Sequence, residues 1–242
     1  MVLWNKLSCL WTLGFCLVTS KRFSVPSIKD KSFIDQCVDA HNELRRQVQP
    51  PAANMKYMSW DEGLAKISKA WANQCQMEHN HCLSNSYHCH PIFISMGENI
   101  WLGDSYNLTP KSVINHWYNE SIFYNFNRLQ CSKICTHYTQ VIWANSYKVG
   151  CAINICPDLG GTETAIFICD YGPPGNYERT PPYTKGVPCS KCGKEDSCEN
   201  KLCRNKERDT LIEYPNWNPH GKAAQQTACN LLCLVCVLLR LF

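Results

Sequence analysis

Eighteen cysteines in 242 residues constrain this chain more than any other feature. So many thiols serve as structure only where disulfides form and persist, which places the chain in an oxidising compartment, secreted or at the cell surface. The N-terminus agrees: Lys6 precedes an apolar run from Leu7 to Val18, and Val18 and Ser20 suit the positions before a signal-peptidase cut. Residues 1–20 therefore read as a signal peptide, too short in its apolar part to span a bilayer. At the other end, Cys229 to Phe242 is a second apolar run, preceded by the small residues Gly221, Ala223 and Ala224 and the polar link Gln225, Gln226, Thr227. That order is the one of a signal for a glycosylphosphatidylinositol (GPI) anchor; Arg240 interrupts it, and the tail of a secreted form is the alternative. Setting aside Cys9 and Cys16 in the leader and Cys229, Cys233 and Cys236 in the tail leaves thirteen cysteines, an odd number. At least one thiol is then free or bridges chains, and Cys37, on the apolar face of the first helix, is the candidate.

The remaining chain is long enough for one domain with extensions. Apolar residues make up 45% and charged residues 18%, enough for a core and against global disorder. A net charge of +4 without a dense Lys/Arg run excludes a nucleic-acid arm. Phe33, Cys37, Val38, His41, Leu44 and Val48 recur at helical spacing; Ser32 to Asp35 resembles a capping box, and Pro50-Pro51 stops the helix. Asp61 starts a second helix with Leu64, Ile67, Trp71 and Cys75 in one stripe, ending near His79. Thr109 and Pro110 start a third, carrying Val113, Trp117 and Tyr118. Beyond Cys131 the β-branched runs Val141–Trp143, Val149–Ile153 and Ala165–Cys169 read as strands of an antiparallel sheet. Helices first and a sheet afterwards indicate an α+β fold. Asn107 and Asn119 open N-glycosylation sequons.

Several short segments carry a resemblance. His137-Tyr-Thr-Gln-Val-Ile-Trp143, followed by Gly150-Cys151 and by Phe167 to Asn176, resembles the CAP superfamily of cysteine-rich secretory, antigen 5 and pathogenesis-related proteins. His41-Asn-Glu-Leu-Arg45, Trp71 to Cys75 with His79-Asn80, Gly97-Glu-Asn-Ile-Trp101 and Trp117-Tyr-Asn-Glu120 match other elements of that family. The resemblance implies an α-β-α sandwich over residues 30–177. Residues 178–210, with Cys189, Cys192, Cys198 and Cys203, are similar to the hinge of cysteine-rich secretory proteins; residues 211–242 form an extension ending in the hydrophobic tail. The four hinge thiols admit a zinc site, but the compartment favours two disulfides. The family pattern further implies Cys75 paired with Cys156 and Cys151 with Cys169, and leaves Cys131 and Cys135 without an assigned partner. With no further cysteine-dense module after the hinge, the chain is similar to the glioma pathogenesis-related-like branch, and channel blocking is not expected.

His79, Glu98, Glu120 and His137 match the two histidines and two glutamates that line the family's cleft. Such a set suits a divalent metal, zinc, with His79 and His137 as ligands and open positions for water, or acid/base chemistry. His79 is favoured further if it ends a helix, where the dipole holds a proton or metal. His41 reads as a hydrogen-bonded core histidine. His79, His81, His88 and His90 interleave with Cys82 and Cys89; their spacing fits no zinc finger, and a disulfide-tethered loop is expected. The aromatics Tyr118, Phe123, Tyr124 and Phe126 lie where some relatives bind sterol, with packing beneath a loop as the preferred alternative. Asp170 stands where most of the family has Asn or Gln. There is no Gly-x-Ser-x-Gly nucleophile. The resemblance implies an extracellular binding or adhesion protein, of sperm or the reproductive tract, acting in gamete maturation or sperm-egg interaction. Its expected partners are a cell-surface glycoprotein or a lipid or sterol. A metal-dependent hydrolase is the alternative.

Overall fold

In a computed structural model of the protein, residues 23–83 and 89–219 are described. The expected signal peptide, His88 and the C-terminal tail with its expected anchor signal lie outside them.

The framework is a four-stranded sheet with helices on both faces. In chain order it comprises α1 (Lys31–Arg45), β1 (Ser59–Trp60), α2 (Glu62–Ala72), β2 (Gly97–Asp104), α3 (Pro110–Asn119), the pair β3 (Tyr124–Asn125) and β4 (Gln130–Cys131), α4 (Thr136–Val141), β5 (Lys148–Ile155) and β6 (Thr164–Gly172). A small ribbon, β7 (Ser197–Glu199) with β8 (Leu202–Arg204), completes it. The strand order is β1-β5-β6-β2. β5 and β2 flank β6 in antiparallel register, but β1 runs parallel to β5, so the sheet is mixed rather than purely antiparallel.

Because side chains alternate along a strand, the two faces have separate cores. On one, Phe167, Cys169 and Tyr171 join Phe33, Leu44, Val113, Ile114 and Trp117 from α1 and α3. On the other, Ile100, Ile166 and Ile168 meet Ala72 at the end of α2. Gly150 lies on the α2 side, where an added Cβ would sit 2.0 Å from the Ala65 amide; helix and sheet touch there as closely as backbone allows.

Three helix boundaries differ from the sequence expectation. α1 is capped by Asp30, whose side chain accepts from the Phe33 amide, so Ser32 lies inside the helix; it ends at Arg45 rather than at the prolines. α2 starts where expected, with Asp61 accepting from the Leu64 amide, but stops at Ala72. α3 begins with Thr109 and Pro110, and Ser112 completes its capping box.

The β-branched run at Val141–Trp143 is no strand: Val141 ends α4, and Ile142 is its C-cap. Tertiary contacts override local propensity here. Arg45, fully buried, donates to the carbonyls of Val141 (2.9 Å), Trp143 (2.8 Å), Ala144 (3.3 Å) and Ser146 (2.9 Å). These are the acceptors that a helix end and the turn after it leave open. From the other side, Gly175 donates to Gln140 Oε1 (2.9 Å) and Asn176 Nδ2 to the Thr136 carbonyl (2.9 Å).

Six disulfides are present among the described residues. Cys151–Cys169 links directly opposed residues of β5 and β6, and Cys75–Cys156 ties the segment after α2 to the end of β5. Cys82–Cys89 closes the histidine-rich loop and Cys131–Cys135 the turn before α4. Cys189–Cys198 and Cys192–Cys203 staple the hinge. Cys37 is a free thiol, completely buried, and burial pushes its pKa up.

Candidate metal centre

The four residues expected to line a cleft form two imidazole–carboxylate pairs. Glu98, on β2, takes His79 Nδ1 at 2.8 Å and the Asn80 amide at 3.0 Å on the same oxygen. Glu120, immediately after α3, takes His137 Nδ1 at 2.6 Å, and its second oxygen accepts the Tyr138 amide at 3.2 Å. A carboxylate oxygen accepts here, so each histidine donates from Nδ1, and in the neutral ring the Nε2 lone pair is left for a ligand. That is the arrangement in which a carboxylate orients a metal-binding imidazole and raises its basicity. His79 is exposed and has its pKa raised by the hydrogen bond to Glu98. A helix dipole plays no part, because α2 ends seven residues earlier at Ala72.

His137, at the start of α4, lies parallel to the Trp117 ring at an interplanar angle of 16°. Its carbonyl accepts from Asn99 Nδ2 (3.0 Å), which also reaches the Tyr171 hydroxyl (3.3 Å). Behind them is His41. Its Nδ1 must donate to the Cys37 carbonyl (2.7 Å), so its Nε2 accepts from Tyr171 (2.9 Å). Burial lowers His41 to about 4, which keeps this ring neutral. The core histidine thus supports the backbone of the cleft histidine through two side chains, a link between residues far apart in sequence that no local motif announces.

The donor chemistry suits zinc, which His79 and His137 would hold. The tetrad itself does not close into a cage. Among the described residues, only Cys192, Asp196 and Cys203 bring three ligand-type atoms within 4.8 Å of one another, and both of those cysteines are in the Cys192–Cys203 disulfide. Neither cleft imidazole is hydrogen-bonded to a hydroxyl or thiol among the described residues.

The other candidates are placed elsewhere. His90 is buried, donates from Nε2 to Asp61 (3.0 Å) and accepts the Ile92 and Phe93 amides on Nδ1, so it organises the loop before β2. Tyr118, Tyr124 and Phe126 pack on the main core, with Tyr124 and Tyr118 against Tyr138 and Phe126 against Tyr183. Asn107 and Asn119 are both exposed.

Asp170 is fully buried and directly opposite Glu98 across β6 and β2. Its Oδ2 is 2.7 Å from Ser68 Oγ, which also lies 2.8 Å from the Gly150 carbonyl. Ser68 has one proton, and the carbonyl can only accept it. The short contact to Asp170 is therefore best made by a proton on the carboxyl. Burial, reinforced by the Glu98 charge, pushes the Asp170 pKa well up. One oxygen of each carboxyl, Glu98 Oε2 and Asp170 Oδ1, is buried without a hydrogen-bond partner.

Residues 38–171 match the family model described as CAP, cysteine-rich secretory protein family. The chain is 54% identical to human GLIPR1-like protein 1 over 242 residues, covering 100% of both chains. It is 47% identical to mouse glioma pathogenesis-related protein 1 over 208 residues, covering 83% of this chain and 78% of that one. Among solved structures, NaASP2 with Zn2+ superposes with a TM-score of 0.57 at 26% identity, over 72% of this chain and 96% of that one.

Proposed function

This chain belongs to the CAP, or cysteine-rich secretory protein, family, and from that premise we propose that it is an extracellular binding and adhesion module whose cleft takes up zinc. One observation carries this: both cleft histidines have Nδ1 committed to a glutamate, which leaves two oriented Nε2 donors. When bound, the metal would supply a fixed positive charge at the cleft. Glu98 and Glu120 orient the two rings and offset that charge, and Trp117 and Asn99 limit the movement of His137. The solved relative described with Zn2+ supports the same chemistry.

Attachment of the C-terminus to a membrane by a GPI anchor belongs to this proposal, supported by the small residues and apolar run after residue 220. No helix of the described residues is long and apolar enough to cross a membrane. The resemblance to the glioma-related branch extends the proposal to the surface of sperm or reproductive-tract cells, with a glycoprotein or lipid of another cell as partner. Metal-dependent hydrolysis is the second use open to the same donors.

Zinc calorimetry on the full chain from a secretory host, against the His79→Ala, His137→Ala double variant, tests the site. Binding in the native chain and none in the folded variant is expected. A folded native sample that takes up no zinc would remove both the metal-ordered cleft and the hydrolase. Cell adhesion that survives the double variant while hydrolysis of a test substrate is lost would separate the two uses.

A further inference from the structure

The start of the C-terminal extension is strapped to the body of the domain. Lys66 on α2 donates to the carbonyls of Tyr214 (2.6 Å) and Trp217 (2.9 Å). The Tyr214 amide donates to Glu62 (3.0 Å) and its hydroxyl to Asp61 (3.2 Å). The buried His90 ring meets both Tyr214 and Trp217, at centroid distances of 5.4 and 5.9 Å. The segments that lead out of His90 and into Tyr214 carry four aliphatic side chains that the fold leaves in water. Ile92 is 51% exposed, Ile94 49%, Leu211 52% and Ile212 38%. Ile92 and Ile212 line one cavity of about 300 Å³ together with Phe93, so the two segments are neighbours.

We propose that this face rests on the lipid bilayer to which the C-terminus is attached. The inference relies on the membrane attachment proposed above. Gly221 to Ala224 follow Trp217 by four to seven residues, and an extended chain reaches at most about 3.6 Å per residue, roughly 15–25 Å in all. A strap held by α2 therefore keeps the attached end close to the isoleucine face, whatever path those residues take. Aliphatic side chains at such a distance gain by entering the interfacial region. The charges around them carry no positive excess: Arg208 is paired with Asp196 and Asp209, and Lys148, which donates to the Thr210 carbonyl, lies in the field of Asp61 and Asp209. Glu207 and Glu213 add negative charge. The contact is accordingly with zwitterionic lipid, insensitive to salt and not dependent on anionic headgroups.

The test uses the full chain from a secretory host, reconstituted with phosphatidylcholine vesicles carrying bromine near the headgroup. Flotation reads attachment, and quenching of Trp217 fluorescence, defined by subtraction of Trp217→Phe, reads the face. The native chain should float and show a Trp217-dependent component. The Ile92→Asp, Ile212→Asp variant, altered only at exposed positions, should float equally and lose that component. Flotation with equal quenching in both proteins, or with no Trp217 component, overturns the proposed face and leaves the attachment standing. Failure to float overturns both. Cross-linked dimers that persist at low protein-to-lipid ratio and vanish in the double variant would assign the face to a second copy instead, and equally overturn the proposal.

Discussion

Asp170→Asn should make the protein more stable, by an amount that grows with pH. The native carboxyl faces the Ser68 hydroxyl from α2, the Gly150 carbonyl from β5 and the Glu98 carboxylate from β2, with no cation among its partners. Its pKa in the folded protein is raised, so its contribution to stability is fully present below the unfolded value and is lost as pH rises towards the folded value. With an unfolded carboxyl near 3.9, each pH unit of retained protonation costs about 1.4 kcal/mol, a ceiling of about 4 kcal/mol at pH 7. An asparagine amide can donate to Ser68 as the protonated acid does, and it carries no such penalty. Thermal melts of both proteins at constant ionic strength from pH 4.5 to 7.5 should therefore diverge. The variant should gain with rising pH, to at most roughly 10 °C in Tm for a domain of this size. His41, lowered by burial to about 4, takes up a proton on unfolding over the acidic part of this range in both proteins, and its effect cancels in the difference. Parallel curves would show that Asp170 has the same charge folded and unfolded, and the single-proton argument at Ser68 would fail.

Three further outcomes follow from the packing. Arg45→Met removes the donors to the turn after α4 and should destabilise by about 3–5 kcal/mol in urea unfolding, because it leaves buried carbonyls without partners; a loss under 1 kcal/mol would mean that other groups cap that turn. Glu120→Gln should weaken zinc binding by about 10–100-fold in calorimetry while His137 remains in place, since the carboxylate that orients the ring is gone; an unchanged affinity would remove Glu120 from the site. Cys37 should resist alkylation in the folded protein and react once the chain is unfolded without reductant, as read by peptide mass mapping. Labelling under native conditions would contradict its burial.

Much of the architecture was visible in the chain because it depends on local rules. Asp61, Thr109 and Pro110 mark helix starts through their own chemistry, and the apolar runs of β5 and β6 are buried on both faces. The misread elements are those decided by distant partners. Val141 to Trp143 has strand propensity, yet Arg45, nearly a hundred positions away, takes up the carbonyls that make a helical end tolerable there. β1 is two residues long and parallel to β5, too short for any pattern to show. For the cleft, the four side chains could be named from their motifs, but not which glutamate serves which histidine. The sheet register and the end of α3 decide that. The support of His137 by Asn99, Tyr171 and His41 leaves no spacing signal, and Ser68, which contacts the Asp170 carboxyl, is an unremarkable serine of α2.

Glu98 and Asn99 are consecutive on the edge strand β2, and they serve different arms of the cleft: Glu98 holds His79 on the α2 side, and Asn99 supports His137 on the side of α1 and α3. The cleft therefore straddles the sheet edge, with strand parity dividing its labour. This makes β2 intolerant of insertions and deletions in a way that it is not of substitutions. Replacing Glu98 damages one arm, whereas adding or removing a single residue before it would send the carboxylate towards the wrong layer and disable both at once.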